Sequence, residues 1–212
     1  MLSIYNGFGS KLPKIRPYIV PRRGATRQMT ATQTLYHVSD EPGITLFEPR
    51  ESRLRQQESL VWAIDFDHLP NYLLPRDCPR VTFAAGPDTS KHDIESFIGT
   101  TSPSRVIAVE SEWISRISEA RLYVYELSSP DFVLQDACAG YYVSSVAVKP
   151  NAEHCVDNLL AELFRHDIEL RVMKSLWDLR DVVINSSLEY SIIRMCNAQP
   201  PDKGYPAYLP LG

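Results

Sequence analysis

Apolar residues in this chain recur in short β-branched and aromatic runs, separated by polar stretches rich in turn residues. That is the pattern of strands, not of long helices. TLYHV (34–38), LVWAID (60–65), VTFAA (81–85), RVIAVES (105–111) and RLYVYEL (121–127) each read as a strand. FVLQD and AGYYVSSVAVKP continue in the same mode, and ITLF (44–47) forms a shorter apolar segment ending at Glu48-Pro49-Arg50. ESRLRQQES (51–59) reads as charged and exposed, and FDHLPNYLLPRD as a short helix or turn interrupted by Pro70 and Pro75. DTSKHDIESFIG predicts a helix capped by Asp88, Thr89 or Ser90 and closed by Gly99, and WISRISEA a short helical or irregular link. Beyond Pro150 the spacing changes. AEHCVDNLLAELFRHD carries Val156, Leu159, Leu160, Leu163 and Phe164 at helical intervals, and SLWDLRDVVINSS reads as a second helix. IELRV is a last short strand, and LEYSIIRM fits either state. The order predicts an α+β domain built on a strongly bent, mainly antiparallel sheet, with helices mostly in the C-terminal third.

Composition divides the chain. Residues 1–28 hold Lys11, Lys14, Arg16, Arg22, Arg23 and Arg27 and no acid, a balance of +6 that leaves −10 on the rest of a chain whose net charge is −4. They read as a basic, disordered extension ahead of one globular domain over 29–200, with an irregular, proline-rich tail at 201–212. A mitochondrial presequence is the alternative for the extension, although Pro13, Pro17 and Pro21 would interrupt its amphipathic helix. No apolar run reaches the roughly 18 to 20 residues of a membrane span, so no membrane association is expected. The acidic body argues against nucleic acid, whose phosphates call for a basic face. Cys78, Cys138, Cys155 and Cys196 stand singly, without metal-ligand spacing, so reduced thiols in a cytoplasmic protein are expected and no metal site is.

Candidate chemistry gathers in a few places. His37, late in the first strand, suits orienting a hydroxyl or taking a proton, although a satisfied structural histidine fits equally. In PRDCPR (75–80), Arg76 and Arg80 offer planar forks for a carboxylate or phosphate, stiffened by flanking prolines. The competing account is an internal lock with Asp77. Cys78 lacks a visible histidine partner for a nucleophilic role. Glu110 and Glu126 end otherwise buried strands and must be paired, solvated or functional. Asp136, Tyr141 and Tyr142 bracket Gly140, with the two tyrosines on opposite faces of a strand. Trp62, Trp113 and Trp177 are assigned to the core.

The segments LYHVSDEPGITLFEPR, VWAIDFDHLPNYLLPRDCPRVTF, LYVYEL, FVLQDACAGYYVS and SLWDLRD together resemble a small bacterial and fungal family catalogued as a domain of unknown function, over about residues 33–200. A second similarity is to the ADP-ribosyltransferase-like fold, which includes RNA 2′-phosphotransferases and related toxins. It rests on Tyr36-His37 in the opening strand and on LVWAIDFDHLPNYLL. That resemblance implies His37 at a ribose, Tyr72 or Tyr142 as the aromatic stacked on nicotinamide, and Glu110, Glu126 or Asp136 as the acid. This chain has no glutamate-x-glutamate signature, which separates it from enzymes that ADP-ribosylate proteins.

Three functions follow as expectations. The first is an enzyme acting on an anionic or nucleotide-like small molecule, with NAD as its possible cofactor. Here His37, Glu110, Asp136 and Tyr142 are the catalytic candidates, and Tyr36, Tyr72, Arg76, Asp77, Arg80 and Tyr141 the binding ones. The second is a cofactor-free cyclase, isomerase or hydrolase of secondary metabolism. The third is a binding module without turnover, in which Arg76 and Arg80 recognise an anion on a partner.

Overall fold

The computed structural model describes residues 33–52, 55–100, 103–137 and 139–201. The expected extension over 1–28, Cys138, and the tail from 202 onward lie outside the described residues. In chain order the strands are β1 (Thr34–Ser39), β2 (Arg50–Ser52), β3 (Arg55–Ile64), β4 (Arg80–Ala84), β5 (Arg105–Glu110), β6 (Leu122–Ser128), β7 (Val133–Asp136), β8 (Tyr141–Ser144), β9 (Ala152–Val156), β10 (Ile168–Met173) and β11 (Glu189–Ile193). The helices are α1 (Lys91–Asp93, running on into a wider turn over Ile94–Ile98), α2 (Ile114–Glu119), α3 (Leu159–Arg165) and α4 (Trp177–Ile184).

Among the described residues the strands form two open sheets. One has seven strands in the order β7-β8-β3-β1-β6-β9, with β2 added to β3, and the other has four in the order β10-β5-β4-β11. Every ladder is antiparallel except β10 with β5. The α+β architecture with a mainly antiparallel framework is therefore the observed one. Alternation of side chains then makes three apolar layers. Ile64, Val124 and Tyr141 from the first sheet meet Ile107, Val109, Ile168 and Ile193 from the second, with Ile117 of α2 and Leu159 and Leu163 of α3 at the flank. The other face of the second sheet, through Val81, Phe83, Val106 and Ile192, is covered by α4 and its Trp177 and Val183. The outer face of the first sheet, through Leu35, Ala63, Tyr125 and Leu127, is closed by Phe47 and Val148, whose segments bridge.

Several expectations are corrected. The helices are spread through the chain rather than gathered in its last third, with α1 and α2 in the connections that precede β5 and β6. At α1, Ser90 accepts from the Asp93 amide at 3.1 Å and Gly99 terminates the segment at φ 73. Residues 152–156 form a strand, not the start of a helix. Pairing of Val156 with Leu122 and Cys155 with Tyr123 outweighs the helical spacing of their apolar positions. The helix begins only after Asn158, whose side chain accepts from the Ala161 amide at 3.0 Å. Within the charged stretch after Arg50, β2 and the start of β3 pair as antiparallel strands. The apolar segment ITLF contributes a single bridge, at Phe47. Trp113 and Trp177 are buried, whereas Trp62 is half-buried, edge-on to Tyr141 at 5.6 Å.

Candidate functional site

β1 and β3 pair at Tyr36 with Ile64. Where that ladder opens, the His37 imidazole takes the place of a backbone donor. Its Nδ1–H donates to the Trp62 carbonyl at 2.8 Å, and its ring lies 4.7 Å from that of Phe47. Burial pulls the His37 pKa down to about 4, against the opposing pull of the Trp62 carbonyl, and the Arg76 and Arg50 charges lower it further. At neutral pH the ring is therefore uncharged. With Nδ1 bearing the proton, Nε2 is a lone-pair acceptor, and it has no partner among the described residues.

On the second sheet Arg80 begins the inner strand β4, opposite Val109 on one side and Ile193 on the other. All three face the space between the sheets. Arg80 is only 2% exposed. It staples its own loop from within: Nε donates to the Asn71 carbonyl at 2.8 Å, and Nη1 to those of Cys78 at 2.9 Å and Pro75 at 3.3 Å. The prolines and the Cys78 amide bond to the Pro75 carbonyl, at 2.9 Å, shape the turn around that guanidinium. Among the described residues Nη2 has no hydrogen-bond partner, and no carboxylate pairs with this cation. Burial lowers its pKa, with Cys78, Tyr72 and Tyr141 opposing.

His37 and Arg80 line one open cleft, together with Val38, Ser39, Asp40, Tyr72, Leu74, Arg76, Leu122, Ile193 and Arg194. Arg76 reaches Asp40 at 3.4 Å, both half-exposed. Arg194 follows β11 in a left-handed conformation at φ 56, unusual for a residue with a side chain. The turn after it ties back to the arginine loop: Asn197 Nδ2 donates to the Asp77 carbonyl at 2.8 Å, and the Arg194 Nε lies 3.9 Å from the Asp77 carboxylate. Three guanidinium groups against one carboxylate, Asp40, give the lining a positive field.

The structure thus brings together His37, Tyr72, Arg76 and Arg80, four candidates that are far apart in sequence. Tyr141 lies one layer behind, its hydroxyl hydrogen-bonded to that of Tyr72, and burial raises the pKa of both phenols. The other candidates are outside the lining. Asp77 pairs outward with Arg194 rather than locking Arg76 or Arg80. Tyr36 packs against Phe66 at 5.9 Å, and Tyr142 belongs to the outer layer. Asp136 accepts from the Ala139 amide at 3.2 Å, and Glu126 pairs with His154 at 2.8 Å. Glu110 is wholly buried on the second sheet. It accepts from the backbone amides of Leu176 at 3.3 Å and Gln199 at 2.9 Å, and burial raises its pKa. Cys78 is sealed beneath the loop, its thiol pushed up to about 12 by burial, which removes it as a nucleophile at neutral pH. Sequence reasoning missed Arg194 and Asp40. Arg194 carried the same signal as Glu110, a charge closing an apolar strand, whereas Asp40 was one polar residue among several in a turn.

Fold and geometry define an α+β protein of two open sheets with an arginine-lined cleft. The chain belongs to the Family of unknown function (DUF6886), whose model matches residues 36–198 and so includes every residue of the cleft. No curated protein and no solved structure matches it. Among the described residues no helix is long and apolar enough to cross a membrane.

Proposed function

We propose that this chain is a small enzyme binding an anionic, nucleotide-like molecule in the cleft, with NAD-dependent ADP-ribosyl or phosphoryl transfer as its reaction class. Arg80 carries the reading. A buried guanidinium without a carboxylate partner is costly, and an anion arriving at its unpartnered Nη2 edge would offset that cost. Arg76 and Arg194 in the same lining suit a second anionic group, as in a diphosphate. The neutral His37 offers Nε2 as an acceptor for a ribose-type hydroxyl. The reaction class comes from the resemblance of the Tyr36-His37 strand to ADP-ribosyltransferase-like proteins. In such a transfer the bond from ribose to nicotinamide breaks, its electrons leave with nicotinamide, and the oxygen of an acceptor hydroxyl takes its place, releasing its proton to solvent. The chain would contribute orientation and placed charge. The unpaired thiols of Cys78, Cys155 and Cys196 suit a reducing compartment such as the cytoplasm.

Calorimetry with NAD, ADP-ribose and pyrophosphate tests this. The expected result is binding that weakens with added salt and is lost in Arg80→Gln. Absence of heat from all three at millimolar concentration would overturn it.

One observation favours a second reading, a binding module without turnover. Asp40 is the carboxylate among the described lining residues and it is engaged by Arg76, so no unengaged acid stands beside His37. On that reading the ligand stays unchanged after prolonged incubation, and His37→Ala leaves affinity intact.

A further inference from the structure

A second cation without a counter-ion stands at the opposite end of the space between the sheets. Arg105 opens β5 on the same face as Ile107 and Val109, so the length of the strand separates it from Arg80. It is 9% exposed, and no described residue accepts a hydrogen bond from it or forms an ion pair with it. None of its nitrogens is among the polar atoms sealed from solvent, so the tip of the guanidinium reaches the surface. Burial lowers its pKa, while Glu189, Asp65 and Asp67 act in the other direction through space.

The surroundings are aromatic. Phe66 lies in the chain between Asp65 and Asp67 and is 55% exposed, a large apolar ring left in solvent. Tyr36 flanks it at 5.9 Å and His166 at 5.1 Å. The parallel β5–β10 ladder sets Arg105 opposite Ile168, two residues after His166, and Ser104 Oγ donates to the His166 carbonyl at 2.8 Å. Asp65 is already engaged, accepting from the amide of His68 at 2.9 Å and from its ring at 2.7 Å.

The unpartnered Arg105 and the exposed Phe66 ring are brought to one end of the inter-sheet space through His166, which touches Phe66 and lies on the segment paired with β5; together they suit a flat ligand with hydrogen-bond acceptors on its edge. The three carboxylates in the field of Arg105 disfavour a full anion there. A guanine-type base presents two adjacent acceptors, O6 and N7, in the spacing of the guanidinium fork, and a π face that stacks on an aromatic side chain. We propose that Arg105 and Phe66 form a binding site for a neutral purine base of the guanine type, separate from the arginine-lined cleft.

Guanosine is the probe, because it has no phosphate with which to engage the cleft. Calorimetry on the full chain is expected to show saturable binding. Adenosine, with an amino donor in place of O6, should bind about tenfold or more weakly. Arg105→Gln and Phe66→Ser should each weaken guanosine about tenfold or more, with Arg76→Ala unchanged. Phe66 is a surface ring, so Phe66→Ser decides the matter if Arg105→Gln fails to fold. The proposal is overturned by the absence of saturable heat with guanosine up to its solubility limit, by equal affinity for the two nucleosides, or by full affinity in Phe66→Ser.

Discussion

Arg80 and Glu110 are both buried charges on adjacent strands of the second sheet, and both bond to backbone groups, Arg80 within its own loop and Glu110 on distant segments. Glu110 has each carboxylate oxygen matched to an amide, holds the start of α4 and the segment beyond β11, and touches no cleft. Arg80 has three donors matched to carbonyls and an unmatched edge at a solvent-reachable hollow. A buried charge is therefore not itself a sign of function. The distinction lies in whether its hydrogen-bonding capacity is used up inside the protein, and the two residues fall on opposite sides of it.

The largest effect expected is for Arg80→Ala, which orphans three carbonyls: a loss of about 3 to 5 kcal/mol in urea-unfolding stability, together with loss of anion binding. Millimolar pyrophosphate should raise the melting temperature of the wild type and leave that of this variant unmoved. If both shift equally, Arg80 belongs with Glu110 as a purely internal group. Next is the pH response of His37. The folded ring resists a proton that the unfolded chain accepts near pH 6.5, so stability is complete above that pH and declines as pH falls toward about 4. The decline attributable to this residue is up to ~3 kcal/mol, read as the difference in urea midpoints between the wild type and His37→Asn. Glu110→Ala should cost about 2 kcal/mol by stranding two amides, yet keep the full pyrophosphate-induced stabilisation. Its pH dependence has the opposite sign to that of His37: burial raises this carboxyl, so acidification from neutral favours the fold at this position. The smallest change in stability, under about 1 kcal/mol, is expected for Arg76→Ala, whose ion pair with Asp40 is half-exposed. Its anion affinity should nonetheless fall about fivefold, measured by calorimetry at low salt.

Local pattern alone determined much of this protein. Alternation and β-branched runs marked β1, β4, β5 and β6, and Ser90 and Gly99 bounded a helical segment, because these features depend on neighbours a few residues away. The polar crowding of PRDCPR and the histidine at the end of TLYHV marked two halves of the cleft for the same reason. Only tertiary structure decided the rest. Residues 152–156 became a strand because β6 offered an open edge, an event 30 residues distant in the chain. Asp77 faces Arg194 instead of its neighbours because β11 ends beside β4. Whether Arg80, Glu110 or Arg105 retains unused hydrogen bonds depends on which backbone groups packing brings near, and that information is absent from any single stretch of residues.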